Sequence, residues 1–138
     1  SLASMLLGSP DKITSVGIIG HTGVDEQCAV ILGYESGPLA VTKSSIVSET
    51  PQEATIIGTE GTIRIESPFW CRKALTLSRG EEERTLVEVP FVGNGYQYEA
   101  DEVGRCLRVG ISESERMPLD ESIRIMETMD AIKARWRE

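Results

Sequence analysis

The sequence predicts an α+β fold, a large and predominantly antiparallel open sheet with helices packed on one face. Two observations carry this. From Lys12 to Val89 the chain is a succession of short β-rich runs, joined by connections too short for a parallel crossover. Helical periodicity is confined to the two ends, and strands in a run followed by helices define the α+β class.

The elements follow in order. Ser1–Leu7 carries Leu2, Met5 and Leu6 at helical spacing, then Gly8 and Pro10, and reads as the end of a helix. No capping residue precedes it, so the helix is expected to be cut off at its start. Ile13–Gly20 is the first strand, and Gln27–Tyr34 the second. The second is almost continuously apolar, the pattern of a strand covered on both faces. Glu35-Ser36-Gly37-Pro38 is a turn signal. Leu39–Ser48, rich in Val, Ile, Thr and Ser, is the third strand. Ala54–Ile57 and Thr62–Glu66 form a hairpin across Gly58-Thr59-Glu60-Gly61, with Ile63 and Ile65 on one face of the second arm. Lys73–Ser78 alternates in the same way, Arg79-Gly80-Glu81-Glu82-Glu83 is a charged loop, and Arg84–Val89 is the last strand. After the Gly93-Asn94-Gly95 turn, Tyr98–Val109 is a helix with Val103, Cys106 and Leu107 on one side and Gly110 as its stop. Leu119–Trp136 is a longer helix. Its core stripe is expected to be Ile123, Met126, Met129, Ile132 and Trp136, with Glu121, Arg124, Asp130, Lys133 and Arg137 mostly off it.

Two long helices cover one face of such a sheet, yet the second strand is apolar on both. A contiguous apolar patch marks a contact surface. The second face is therefore expected to pack on another domain or on a symmetry-related copy.

The 138 residues fit one domain with a real core, and 40% hydrophobic with 26% charged residues is an ordinary globular composition. Net charge is −8. Such a surface repels phosphate backbones and anionic lipids, so neither nucleic acid nor a membrane is an expected partner. No apolar run approaches the roughly 20 residues that span a bilayer, and the first eight residues lack the basic region of a signal peptide. Cys28, Cys71 and Cys106 are an odd number, far apart and without a Cys-x-x-Cys. This favours a reducing, cytoplasmic location over a disulfide framework or a zinc site. A single histidine, His21, gives no metal set.

Much chemistry is missing. No G-x-G-x-x-G or P-loop serves a nucleotide, and no G-x-S-x-G elbow serves a nucleophile. The acids Glu99, Asp101, Glu102, Asp120 and Glu121 sit where they stabilise helix N-termini. The chain has seven aromatics, and five of them fall in two loops: Phe69 and Trp70 after Pro68, and Phe91, Tyr96 and Tyr98 around the Gly-rich turn. Loops at one end of a sheet are where binding rims form. Trp70 and Tyr96 read either as walls of an apolar substrate pocket or as edge-of-core packing.

The segment Gly93-Asn94-Gly95-Tyr96-Gln97-Tyr98-Glu99-Ala100, then Cys106-Leu107-Arg108 and Met117-Pro118-Leu119-Asp120-Glu121-Ser122, resembles the end of the Gfo/Idh/MocA oxidoreductases. The dimeric dihydrodiol dehydrogenase branch is the most similar. Thr22-Gly23-Val24-Asp25, Ile57–Ile63 and Pro68-Phe69-Trp70 recur in the same order there. The resemblance implies a C-terminal substrate-binding and oligomerisation domain, residues 1–138, whose N-terminal Rossmann domain lies outside this chain. It implies NAD or NADP for the full-length protein and no cofactor bound by this part. The family's catalytic residues map before Ser1, so none is expected here. By order and motif, Trp70 and Tyr96, and more distantly Phe91, correspond to substrate-bordering aromatics. The implied partners are a small-molecule substrate (a sugar, a polyol or a dihydrodiol), the Rossmann domain, and a second copy across the sheet face. The competing readings are a sheet-mediated dimerisation module with no enzyme attached and a small-molecule-binding module.

Overall fold

Among the described residues one α-helix, seven strands and two further α-helices follow in the order expected. The structure, a computed structural model, describes residues 1–80 and 83–136. The tip of the charged loop, Glu81-Glu82, and Arg137 therefore lie outside the described residues. The strands form two antiparallel sheets, one of three strands and one of four. The chain divides into two compact units, Ser1–Thr50 with Glu113–Glu138, and Pro51–Ser112.

In the first unit, β1 (Lys12–Ile19), β2 (Asp25–Gly33) and β3 (Leu39–Ser45) form a meander. Register sets the two faces. Ile13 lies opposite Leu32 and Ser15 opposite Val30, while Leu32 pairs onward with Ala40 and Val30 with Thr42. These residues share one face, because side chains alternate along a strand. Val30 at 3% exposure, Leu32 at 7% and Tyr34 form the core. Ala3 and Leu7 of α1 (Leu2–Leu7) and Ile132 of α3 (Leu119–Ala134) pack against it. Burying Val30 and Leu32 contributes about 1.5–3 kcal/mol each. Burial raises the Tyr34 phenol above its ordinary pKa.

The opposite face carries Val16, Ile18, Ile31, Leu39 and Val41, all exposed. The two-sided apolar character of the second strand is thus real, with one side covered by helices and the other open within this chain.

Helix α3 is fixed by both ends. At its start the Leu119 N–H donates to the Glu113 carboxylate at 2.7 Å. Asp120 and Glu121 occupy its first turn, as dipole compensation requires. Ser4 of α1 donates to Glu121, and Arg124 donates to the same carboxylate at 3.0 Å. The serine hydrogen bond and then the guanidinium hold the Glu121 pKa below its usual value. At the far end the Trp136 indole N–H donates to the Ser15 hydroxyl at 3.1 Å, and that hydroxyl donates to the Ile132 carbonyl at 3.1 Å. Lys133 pairs with Asp25 at 3.2 Å. The Trp136 ring lies directly on Gly17, so close that a Cβ there would overlap it.

The stripe facing the sheet differs from the expected one. Glu121, Ile125, Thr128, Ile132 and Trp136 are the half-buried positions of α3 and the residues after it. Ile123, Met126 and Met129 are exposed. Only Ile132 and Trp136 of the expected stripe face inward. The physical reason is that the inward face includes a serine–carboxylate contact to α1, which a hydrophobicity pattern does not register.

In the second unit, β4 (Ala54–Gly58), β5 (Gly61–Ile65), β6 (Ala74–Arg79) and β7 (Glu83–Glu88) pair in sequence order. Ile56, Ile63 and Leu77 are in register on one face, and Thr55, Arg64, Thr76 and Leu86 on the other. Helix α2 (Tyr96–Val109) buries Cys106 and leaves Val103 and Leu107 exposed, so only one of the three expected inward residues is enclosed. It ends at Gly110 with φ 74°, and Ile111 N–H donates back to the Cys106 carbonyl at 3.1 Å. A left-handed residue here suits glycine.

Replacing Gly17 with Ala is expected to lower the stability of the chain by about 2 kcal/mol through overpacking against Trp136. In a Trp136→Ala background the same change should cost under about 1 kcal/mol, because coupled sites are non-additive. Urea unfolding of the four variants measures this, and equal costs in both backgrounds would refute the contact.

Candidate functional site

The candidate residues gather at one end of the four-stranded sheet. Antiparallel pairing places the end of β5, the start of β6 and the end of β7 together, since Ala74 lies opposite Glu88. The loop 66–73 therefore neighbours the loop 89–95. Val89 N–H donates to the Lys73 carbonyl at 2.7 Å and extends the ladder by one bond into both loops.

Phe69, Trp70 and Cys71 form a short 3-10 turn after Pro68. Phe69 N–H donates to the Gln52 carbonyl at 2.9 Å, which ties the turn to the segment before β4. The Phe69 and Trp70 rings meet edge to face, 5.4 Å between centroids at 80°, a preferred aromatic arrangement. Trp70 is nevertheless 63% exposed.

Phe91 is half-buried. The Lys73 ammonium sits over its ring at 5.0 Å from the centroid, within cation–π range. Lys73 thus holds the second loop by its carbonyl and by its side chain. Gly93 and Gly95 take φ 63° and 94°, left-handed conformations that favour glycine. Between them the Asn94 side-chain carbonyl accepts from Tyr96 N–H at 3.2 Å. The turn is closed by the Tyr98 hydroxyl, which accepts from Val92 N–H at 3.1 Å, and by Gln97, which donates to the Val92 carbonyl. Tyr96 opens helix α2 and is 70% exposed.

The structure thus brings Trp70 and Phe91 onto adjacent loops joined by Lys73. It places Tyr96 one turn beyond Phe91. The ring contacts among the described residues are those of Phe69 with Trp70 and of Lys73 with Phe91; Tyr96 takes part in neither. Sequence reasoning placed Tyr98 at this turn but missed Lys73 and Gln97 as residues that shape the rim. The available signal was Arg72-Lys73, a basic pair beside Phe69-Trp70 in an acidic chain. A shallow depression lined by Ile56, Gly58, Gly61, Ile63 and Leu77 lies toward the hairpin end of the same sheet and contains none of the candidates.

Chemically, this rim offers flat aromatic surface, the two cations Arg72 and Lys73, and backbone amides. It suits stacking against a small molecule. It holds no paired acid and base.

Residues 1–64 match the family model of the GFO/IDH/MocA C-terminal domain. The trans-1,2-dihydrobenzene-1,2-diol dehydrogenase of Danio rerio is 38% identical over 127 residues, which cover 88% of this chain and 38% of that enzyme. This chain carries a Gfo/Idh/MocA C-terminal domain. It spans well under half the length of the curated relatives it matches. An alignment over 88% of this Gfo/Idh/MocA chain necessarily includes the aromatic rim at 66–96.

Among solved structures, an aldose-aldose oxidoreductase from Caulobacter crescentus, complexed with glycerol, superposes with a TM-score of 0.78 at 18% identity. It covers 98% of this chain and 42% of that one. An oxidoreductase from Agrobacterium radiobacter, in complex with NAD+, L-tartaric acid and magnesium, gives 0.65 at 14% identity over 89% of this chain and 40% of that one. At these identities the likeness establishes the fold. No helix among the described residues is long and apolar enough to cross a membrane.

The two tryptophans separate cleanly by environment, Trp70 exposed and Trp136 half-buried against Gly17. Acrylamide should quench mainly Trp70. Trp70→Phe is expected to remove the quenchable, red-shifted part of the emission and leave the protected part. Unchanged quenching in that variant would contradict the exposed placement of Trp70.

Proposed function

We propose that this chain is the substrate-facing and self-associating part of a cytoplasmic NAD(P)-dependent oxidoreductase acting on a sugar, a polyol or a trans-dihydrodiol. The observation that carries the reading is the 38% identity to a trans-dihydrodiol dehydrogenase across a stretch that includes the aromatic rim. Trp70, Tyr96 and Phe91 provide the wall for substrate. A dihydrodiol ring or the apolar face of a sugar stacks on such a wall, its hydroxyls turned away from the aromatic surface. A nicotinamide cofactor, NAD in one structural neighbour, would supply the hydride acceptor for the carbinol carbon, and the base that takes the hydroxyl proton would lie in the part that holds it. The residues of this chain orient the carbon and exclude water. The cofactor would be held by a nucleotide-binding domain elsewhere in a longer protein, as the share of the relatives' length covered here suggests.

In a protein carrying both parts, Trp70→Ala should lower kcat/KM by about tenfold, mainly through KM, with the circular dichroism spectrum unchanged. An unaltered kcat/KM would remove Trp70 from the substrate wall.

Self-association is assigned to the open face of the three-stranded sheet. Val16, Ile31, Leu39 and Val41 line the open face of a sheet whose other face is covered by α1 and α3, and an exposed apolar face of this kind favours burial against a second copy. The chain is expected to sediment as a dimer at micromolar concentration. Val41→Glu, at a position 73% exposed within the chain, should give a folded monomer. A wild-type monomer across the concentration series would exclude this interface.

A further inference from the structure

The rim carries a cation that the substrate wall does not require. Lys73 has its ammonium over the Phe91 face, and Arg72 precedes it. Two acids of this sheet are already engaged: Arg64 pairs with Glu53 at 3.0 Å and with Glu66 at 3.1 Å. Among the described residues, Lys73 has no carboxylate partner. Its only recorded interactions are the Phe91 ring and the hydrogen bond to its carbonyl from Val89. In a chain of net charge −8, this ammonium is held over an aromatic ring at the mouth of the aromatic loop pair.

The cation–π contact also fixes where that charge is. A free lysine samples many rotamers, and ordering it costs affinity when a ligand arrives. Here the Phe91 ring orders the ammonium beforehand. An aromatic face satisfies the cation without neutralising it, so its positive field remains available to an anion on the solvent side. The Val89–Lys73 backbone bond holds the root of the side chain in the sheet ladder.

We propose that Lys73 is a specificity-determining residue that binds an anionic group, carboxylate or phosphate, on a small hydroxylated substrate whose ring or carbon chain lies on Trp70. This rests on the reading of the aromatic rim as the substrate wall. The substrate class it selects is hydroxylated acids and sugar phosphates over their neutral counterparts.

The test uses compounds that differ only in the anionic group. D-glucose, D-glucuronate and D-glucose 6-phosphate are titrated into the chain at low ionic strength, following the amide and Trp70 indole resonances by NMR. At least one anion should bind about threefold to fivefold more tightly than glucose, the range of a partly exposed ion pair, and the gain should fade as salt is added. If glucuronate alone gains, the group is a carboxylate. If glucose 6-phosphate alone gains, it is a phosphate. In Lys73→Met the affinities should converge, and in Lys73→Arg the preference should return. Equal affinities in the wild type, or a preference that survives Lys73→Met, would overturn the role of Lys73 and leave the rim reading standing. No shift at Trp70 with any of the three compounds would overturn both.

Discussion

The contact between α3 and β1 is what converts the three-stranded sheet into a unit with a core. A three-stranded meander has two faces and too little area to be stable on its own. Here one face is closed by α1 and α3, and the closure depends on a small strand residue. Gly17 leaves room for the Trp136 ring to lie on the sheet, and Ser15, two residues back on the same face, takes the indole N–H and hands its own proton to the Ile132 carbonyl. The polar edge of the tryptophan is thus satisfied while its apolar area covers the strand. Without that fit, Val30, Leu32 and Tyr34 would lose part of the cover that makes them the core.

The same geometry explains why the unit keeps an apolar side open. The covered face is filled by residues in register across the three strands. The alternating positions, Val16, Ile31 and Val41 among them, must point the other way. No rearrangement within the meander can hide both sets. The open face is a consequence of strand alternation combined with two-sided hydrophobicity, and a partner surface is the economical use of it.

The fold was legible where the signal is local. Short turns, β-branched runs and the helix-stopping Gly110 gave the right elements in the right order. The near-continuous apolar run Gln27–Tyr34 contains the core residues Val30, Leu32 and Tyr34. What was not legible depends on contacts between distant segments. The sheet-facing side of α3 includes Glu121 and Thr128 because Ser4 donates to the former and the helix rolls accordingly. Its second apolar stripe, Ile123, Met126 and Met129, has equal periodicity and an equal claim in sequence. Hydrophobic spacing fixes that a helix is amphipathic, and the polar tie to α1 decides which side goes in.

For the rim the same limit applies in sharper form. Trp70, Phe91 and Tyr96 stood out because aromatics are few, but their grouping depends on the antiparallel registration of β6 with β7. That pairing sets Lys73 across from Val89 and brings two loops more than fifteen residues apart into one surface. Lys73 gave no sequence signal stronger than a basic pair in an acidic chain. Its significance arises only when Phe91 comes under its ammonium. A wall of aromatics alone would accept any flat or apolar face with little preference. One ordered charge at its edge, tied to the ladder by its own carbonyl, would add direction: under the proposed function a molecule would gain by turning its anionic end toward Lys73, and the carbon at its other end would then be presented in one orientation, as hydride transfer to a cofactor held elsewhere would require.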